Sequence, residues 1–295
     1  MELRHLRYFT VAGEEEHFGR AADRLHIVQP ALTKQIKQLE DELGIYLFER
    51  LKRGVRLTLA GRSFLEDARR ILGSVEAAIE QTKQVAQGKI GQLRIGFVDS
   101  TMLGGEAPLI LNEFRDRFPH VRLSLKADTS VNCGTFLKDK TINLGIVHWL
   151  PSDLAELRFH RIGEERLLLA VPRTHPFSQR RTLKLKDLRD VPFVWFSRDV
   201  SPMYYDRVFD ACRRAGVIPK VIQEANSIPT MLGLVAAGMG VCFVYKSTEH
   251  WRPDNVAIVG ITDSRLSVNV YVIWRRDDSS PSLRHFLDVV ARHTL

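Results

Sequence analysis

The sequence predicts an α/β protein with a small helical head, a long connecting helix and a two-lobed C-terminal region. Three observations carry that prediction. Residues 18–43 read as a short helix and a longer one joined by a tight turn. From Phe64 to Val85 apolar residues recur at alternating steps of four and three. Beyond Gly91 the pattern switches to alternating strands and helices, the signature of α/β architecture.

Composition bounds the class. The chain has 295 residues, 44% hydrophobic and 26% charged, as expected of a globular protein of two or three domains. No apolar run reaches membrane-spanning length, and the N-terminal MELRHLRYF carries charges throughout, unlike a signal peptide. The expectation is a cytoplasmic protein with no membrane partner. Cys133, Cys212 and Cys242 are scattered and fit neither a disulfide framework nor a zinc cluster, so they read as small buried residues. The net charge is +8, yet residues 1–58 hold ten Lys/Arg against nine Asp/Glu. Total charge therefore does not argue for DNA. Local clusters do: Arg50, Lys52, Arg53 and Arg56 lie together, apart from Glu14–Glu16 and Glu40–Glu42.

In chain order, Leu3, Leu6, Phe9 and Ala12 mark one side of a helix over residues 3–16. Phe18, Ala21, Ala22 and Leu25 form the stripe of a second helix, where the alanine pair allows close crossing. The stripe breaks at His26–Gln29. Pro30 restarts a helix, Leu32, Ile36, Leu39 and Leu43 give it an apolar face, and Gly44 ends it. Its other face presents Gln29, Thr33, Lys34, Lys37 and Gln38, mostly hydrogen-bond donors. This is the layout of a helix-turn-helix, whose second helix enters the major groove N-terminus first. The same residues also fit an ordinary helical hairpin with a solvated face. Arg53-Gly54 reads as the turn of a basic β-hairpin, a wing that can rest on phosphates.

Thr58 caps the next helix. Its narrow stripe of Phe64, Ala68, Ile71, Val75, Ala78, Thr82 and Val85 is a heptad seam, which predicts a dimerising coiled coil rather than a helix lying on its own domain. Gln87–Gly91 reads as a hinge. Strands are then expected at 92–98, 121–127, 142–147, 166–171, 193–196, 221–223, 241–245 and 267–274, mainly in parallel sheets. Helices are expected at 103–118, 130–138, 202–215, 229–237 and 283–292. Two similar runs, split near 163 and 266, suggest two lobes, with the last strand and helix returning to the first. The domain expectation is a winged head over 1–58, a linker helix over 59–88 and an effector domain over 89–295, with lobe I at 89–162 and 267–295 and lobe II at 163–266.

With these elements in place the chain resembles the LysR-type transcriptional regulators over essentially its whole length. The resemblance is carried by MELRHLRYF, AADRLHIVQPALTKQIKQLEDELGIYLFER and LTLAGRSFL, and further on by LRIGFVDS, VPRTHPF and GLVAAGMGVCFV. MELRHLRYF and GLVAAGMGVC look most like the subgroup controlling aromatic-acid degradation. The resemblance implies a winged helix-turn-helix, a dimerising linker helix and a periplasmic-binding-protein-like effector domain. It also implies a homotetramer built from two dimers, meeting RNA polymerase at a catabolic promoter it activates when a small inducer is bound. Thr33-Lys34 stands where the family usually has Ser-Arg, so Lys34 suits a phosphate better than a guanine edge. Asn143 stands where Asp is common, a structural position.

The residues expected on DNA are Gln29, for adenine, Pro30 and Ala31, for a thymine methyl, Thr33, Lys34 and Lys37, and the wing's Arg50, Arg53 and Arg56. For the inducer, strand C-termini and helix starts should converge on a cleft. Ser100-Thr101, Thr129-Ser130, Ser201 and Ser227 occupy four such places, and each hydroxyl is equally a helix N-cap. Pro202, Met203 and Ile228 follow them. Phe196, Tyr204 and Val147-His148-Trp149 offer an apolar and aromatic wall, with a lone His148 reading as structural. Four helix starts suit a carboxylate or similar small polar group, the resemblance to the aromatic-acid subgroup implies an aromatic or unsaturated one, and Asp99 works against an anion. No GxSxG, Walker loop, GxGxxG after a strand or HExxH occurs, and no histidine pair makes a convincing metal site. The expectation is a regulator with no catalytic residues, cofactor or metal, set against two alternatives, a solute-binding receptor and a small α/β enzyme.

Overall fold

The computed structural model describes residues 1–51, 54–151, 153–263 and 266–293. It divides into two compact units, Met1–Val85 and Ala86–Leu295.

The first unit begins with α1 (Leu3–Glu15), α2 (Phe18–Arg24) and α3 (Gln29–Leu43). Leu6, Phe9, Ala12, Ala21, Ala22, Leu32, Ile36 and Leu39 close one core. The expected stripe of α1 starts one turn later than read, since Leu3 is exposed. His26 takes a left-handed conformation (φ 55°), and Ile27 N–H returns to Ala22 O, which makes the turn between α2 and α3 tight. Gly44 ends α3 at φ 68°, in the region that favours glycine. Strands β1 (Phe48–Arg50) and β2 (Val55–Leu57) pair antiparallel as the expected hairpin. Phe48 anchors it between Phe9 and Phe18, with ring centroids at 5.5 and 5.2 Å. Glu40 Oε1 holds its base by accepting Leu47 N–H at 2.7 Å and Phe48 N–H at 3.1 Å. Helix α4 (Leu59–Ala86) follows, about 42 Å long at 1.5 Å per residue. Thr58 caps it, its Oγ1 accepting Gly61 N–H at 2.9 Å.

The second unit holds β3 (Gly91–Phe97), α5 (Glu106–Arg117), β4 (Val121–Ala127), α6 (Ser130–Lys138) and β5 (Leu144–Val147). There follow β6 (Leu157–Pro172), β7 (Thr182–Leu183), β8 (Pro192–Phe196), α7 (Pro202–Arg214), β9 (Lys220–Ala225) and α8 (Ile228–Ala236). The chain closes with β10 (Cys242–Tyr245), β11 (Val256–Ile261), β12 (Ser267–Arg275) and α9 (Pro281–Val290). Strand order is β4-β3-β5-β12-β6-β11-β7, with β10 also on β6 and a separate β8-β9 pair. The expectation of mainly parallel sheets needs correction. β3 is parallel to β4 and β5, and β8 to β9, but β12, β10 and β11 all run antiparallel to their main partners. Long strand β6 imposes this, because it serves both lobes. Residues up to Arg166 pair with β12, and those from Leu167 pair with β10 and β11. One lobe's core centres on Leu93, Ile95, Phe114, Ile146, Val272 and Phe286. The other centres on Leu169, Phe193, Trp195, Val208, Phe243 and Val259.

The start of the stretch read as a hinge packs within the second unit. Gly88 is buried at φ 69°, and a Cβ there would lie 2.6 Å from Pro281 Cβ. His285 Nε2 bonds Gln87 O at 2.8 Å. The three cysteines are buried and unpaired, and burial pushes the thiols of Cys133 and Cys212 up to about 12, so they are inert.

His293 clamps the end of the chain to α5. Its Nδ1 meets Glu106 at 3.0 Å and its Nε2 meets Glu113 at 2.8 Å. Burial pulls this imidazole down, but the two carboxylates outweigh burial and hold it above the ordinary histidine range. A raised histidine stabilises fully below its unfolded value of about 6.5, and that contribution is lost as pH rises through the folded value. Wild type should therefore exceed His293→Gln by about 1 kcal/mol at pH 5.5, with the gap closing above neutrality. Thermal unfolding of both proteins across pH 5.5–8.5 measures it, and a pH-independent gap would show that the ring is uncharged.

Candidate functional site

The head presents one polar surface on α3 and one on the hairpin. Gln29, Pro30, Ala31, Lys34 and Lys37 are exposed. Pro30, Lys34 and Lys37 share the face opposite buried Leu32, Ile36 and Leu39, as a 3.6-residue period demands, while Gln29 is the first residue of the helix. Thr33 is half-buried and its hydroxyl donates back to Gln29 O at 3.0 Å, which leaves its oxygen to accept. Arg50 and Arg56 are exposed on the hairpin. Arg56 pairs with Glu49 across the strands at 2.9 Å, an internal partner not read from the sequence. Arg53 lies outside the described residues. Much of the head's acidic charge is occupied internally. Glu14 bonds Arg24 at 2.9 Å and Arg69 at 2.8 Å, which holds its carboxyl below the ordinary range, and Glu16 accepts Leu57 N–H. The donor-rich faces are left to dominate the surface of α3 and the wing.

The seam on α4 divides. Ala68 is fully buried in the head's own core and Phe64 packs against it, 5.1 Å from Phe9. Both were expected in a dimer seam and here serve the head, because the head's core closes on the first turns of α4. Ile71, Ala78, Thr82 and Val85 are exposed and Val75 is half-buried. Ile79, off the heptad reading, is exposed as well.

In the second unit a cavity of about 600 Å³ opens where strands end and helices begin. Of the residues expected there, Ser100, Thr129, Phe196, Ser201, Ser227 and Ile228 line it. Thr101, Pro202 and Met203 do not. Thr101 turns its hydroxyl to Val98 O at 2.7 Å, and Pro202 and Met203 border a neighbouring cavity of about 460 Å³. Val147 is buried away from the cleft, while His148, Trp149 and Tyr204 form its wall.

The N-termini of α6, α7 and α8 reach this cavity through Thr129, Ser201 and Ser227. Two of these hydroxyls act as caps: Thr129 accepts Asn132 N–H at 3.1 Å and Ser227 accepts Thr230 N–H at 3.3 Å. Ser201 makes no side-chain cap. The fourth helix start was misplaced. Ser100 sits in a single 3₁₀ turn, Asp99–Met102, and α5 begins only at Glu106 because Gly105 adopts φ 73°. Ser100 instead bonds buried His148 at 2.8 Å. Asp99 lines the cleft, as does Asp128, whose Oδ1 accepts Thr129 N–H and Asn132 Nδ2. The reading missed Asp128, Asn226 and Tyr245 and undervalued His148. Asp128 had a local signal, an acidic residue just ahead of the α6 cap that bonds Thr129 and Asn132; His148 gains its place from Ser100 and Tyr245, far off in sequence.

Among the described residues no group of three or more His, Cys, Asp or Glu is placed to hold a metal ion. Nor is any helix there long and apolar enough to cross a membrane. A helix-turn-helix head with a wing, joined to a cleft of convergent helix ends, defines a ligand-responsive DNA-binding protein. Residues 3–62 match the bacterial regulatory helix-turn-helix of the lysR family, and residues 86–295 match the LysR substrate binding domain. The chain belongs to the LysR family of transcriptional regulators: a DNA-binding regulator with an effector-binding domain, not an enzyme. It is 38% identical to the regulator TfdS of Cupriavidus pinatubonensis, over 99% of this chain and 98% of that one. It is 35% identical to AlsR of Bacillus subtilis, over 98% and 95%. The crystal structure of full-length CbnR complexed with its target DNA superposes with a TM-score of 0.86 at 32% identity, covering 99% of each chain.

Proposed function

We propose that the chain controls a catabolic promoter in response to an aromatic or unsaturated carboxylate bound in the cleft. A winged head (1–58), a linker helix (59–88) and an effector domain (89–295) would divide the work. The supporting observation is the convergence of three helix N-termini on one cavity walled by Trp149, Phe196 and Tyr204. Each end favours an anion by about 0.3–1 kcal/mol, more when partly buried. Asp128 works against this less than its charge suggests, since its carboxylate is already bonded to the cap of α6. The test is calorimetry of the full chain against aromatic acids and their amides. Acids should bind about tenfold or more tightly than amides, and equal affinity would remove the anion argument. Thr129→Ala should weaken acid binding, though loss of the cap also costs about 1 kcal/mol of stability.

On DNA, Gln29, Pro30, Ala31, Thr33, Lys34 and Lys37 would face the major groove, and Arg50, Arg53 and Arg56 the backbone. Arg50→Ala and Arg56→Ala should each weaken binding to all sequences alike and flatten the salt dependence by about one unit per contact. Gel shifts across a salt series measure it; a loss confined to one sequence would instead mean base readout.

The exposed half of the α4 seam supports a homodimer, two of which would form the tetramer that meets RNA polymerase at the promoter. Replacing Ile71 and Val75 by Asp puts charge into that seam, and sedimentation should then show monomers. An unchanged oligomer would place the interface elsewhere. The inducer would act only through its preference for one arrangement of such an assembly.

A further inference from the structure

We propose that a basic face on the lobe carrying β7 and β11 holds the phosphate backbone of the duplex DNA that runs on from the operator, beyond the bases the head contacts. The chain carries +8, yet residues 1–58, the DNA-binding head, hold ten Lys/Arg against nine Asp/Glu. The excess is concentrated in residues 173–189, with six Lys/Arg and a single Asp. Arg173, Arg180, Arg181, Lys184, Lys186 and Arg189 are all exposed. Among the described residues none of the six is in an ion pair. Exposed arginines elsewhere commonly are, as Arg24 is with Glu14, Arg115 with Asp116 and Arg198 with Asp206.

The local sequence turns these cations outward. Leu183, Leu185 and Leu188 are buried in the lobe's core, so Lys184, Lys186 and Arg189, interleaved with them, face water. The backbone beneath is fixed. β7 lies parallel on β11, Arg181 O accepts Gly260 N–H at 3.0 Å, and Leu183 O accepts Thr262 N–H at 2.9 Å. Asp187, the one acid, already accepts Lys184 N–H at 3.0 Å. Arg180 is carried over the Phe177 ring, 5.5 Å from its centroid. Thr182 continues the face into a groove of about 410 Å³, where Arg166, Lys246 and Thr262 join it and no acid is among the described lining residues. Arg166 and Lys246 are exposed and likewise outside any ion pair.

A surface of this chemistry takes a polyanion. Protein partners are held by buried apolar or aromatic anchors, and lysine is depleted from such interfaces. Between residues 173 and 189 no large hydrophobic side chain is exposed. A phosphate backbone asks for the opposite, dispersed Lys and Arg with no apolar anchor. Once the head holds its operator, the flanking duplex is the polyanion at highest local concentration. Contacts to it add affinity and salt dependence without adding sequence preference.

The test is a gel shift with the full-length protein on an operator that it selects from random duplexes. That operator is used as the shortest duplex keeping full sequence discrimination, and again with about 40 bp of arbitrary flank on each side, well within one persistence length. Wild type should bind the long duplex about tenfold or more tightly than the short one. The triple variant Lys184→Gln, Lys186→Gln and Arg189→Gln should erase that advantage and flatten the salt slope on the long duplex by about two to three units, while leaving the short duplex within about twofold. Arg166→Gln with Lys246→Gln should act the same way to a smaller extent. Lys140→Gln, Arg158→Gln and Arg276→Gln remove as much charge from exposed sites on the other lobe and should leave the advantage in place. Thermal midpoints equal to that of wild type check that the variants fold. Equal loss in the two triple variants would mean that net charge alone acts, and equal loss on both duplexes that the face serves the operator itself; either overturns the proposal. Unchanged binding to both duplexes overturns it as well. If transcription with RNA polymerase then fails in the first triple variant, the face belongs to an acidic protein surface instead.

Discussion

Gly61→Ala is expected to destabilise the DNA-binding head by about 3 kcal/mol and to abolish operator binding. A Cβ at Gly61 would lie 2.1 Å from Leu47 O and 3.0 Å from both Leu47 C and Leu57 Cδ2. Two of these are backbone atoms and cannot rotate away. Leu47 is pinned on both sides. Its N–H donates to Glu40, and its carbonyl accepts Thr58 N–H at 2.9 Å and the Thr58 hydroxyl at 3.2 Å. Moving it would strip the cap of α4 and shift the root of the wing together. Gly73 is the control: on the same helix, a Cβ there meets nothing within 4 Å. Gly73→Ala should stabilise by about 0.5–1 kcal/mol through lower unfolded-chain entropy. Thermal unfolding followed by circular dichroism, with gel shifts beside it, reads both. At about 4–8 °C per kcal/mol for a unit of this size, the two variants should move in opposite directions by amounts easily told apart. An unchanged midpoint in Gly61→Ala would mean that Leu47 can yield.

This contact shows where sequence reading ends. α3 was legible because Pro30, Gly44 and the Leu32/Ile36/Leu39 stripe are local signals. The hairpin was legible for the same reason. Nothing local says that Gly61 must be glycine; the cause is a carbonyl fourteen residues back. Strand β6 was read only over its last third, where Leu167–Val171 is apolar. Its first part, Leu157–Arg166, alternates burial and exposure with many charges, and its place is fixed by β12, about a hundred residues on. Parallel order was over-read because alternating strands and helices are silent about a strand that spans two lobes. In the cleft, Thr129 and Ser227 were legible as helix starts. His148 was not, since a single histidine gains meaning only from Ser100, forty-eight residues away.

Arg275→Met is expected to cost the effector domain about 3–5 kcal/mol, the usual penalty for removing one partner of a buried ion pair. Arg275 is buried at the end of β12. Its Nη1 donates to Leu137 O and Ile142 O, each at 3.0 Å, and its Nη2 to Asp278 at 2.8 Å. Asp278 also accepts from Asn143 Nδ2 at 3.2 Å and Ser280 N–H at 3.0 Å. Asn143 Oδ1 in turn accepts Arg94 N–H at 3.1 Å, so its amide joins β3 to the chain beyond β12, a structural use of that position. Four segments meet here, and one is the C-terminal end of α6, whose other end carries Thr129 into the cleft. Burial pushes the Asp278 carboxyl up, but bonds from Ser280 and Asn143 and the Arg275 charge outweigh it and leave it below the ordinary range. A depressed carboxylate stabilises above its unfolded value of about 3.9, and that contribution is lost as pH falls through the folded value. Wild type should therefore weaken steeply in acid, and Asp278→Asn should flatten that dependence. Urea unfolding of Arg275→Met, Asp278→Leu and the double variant separates the pair from its surroundings. The double should cost clearly less than the sum of the singles, because Arg275→Met leaves Asp278 without its cation and Asp278→Leu leaves Arg275 only the exposed Asp277, at 3.4 Å. Strict additivity would show that the two side chains act independently and that the backbone carbonyls of Leu137 and Ile142 account for the loss.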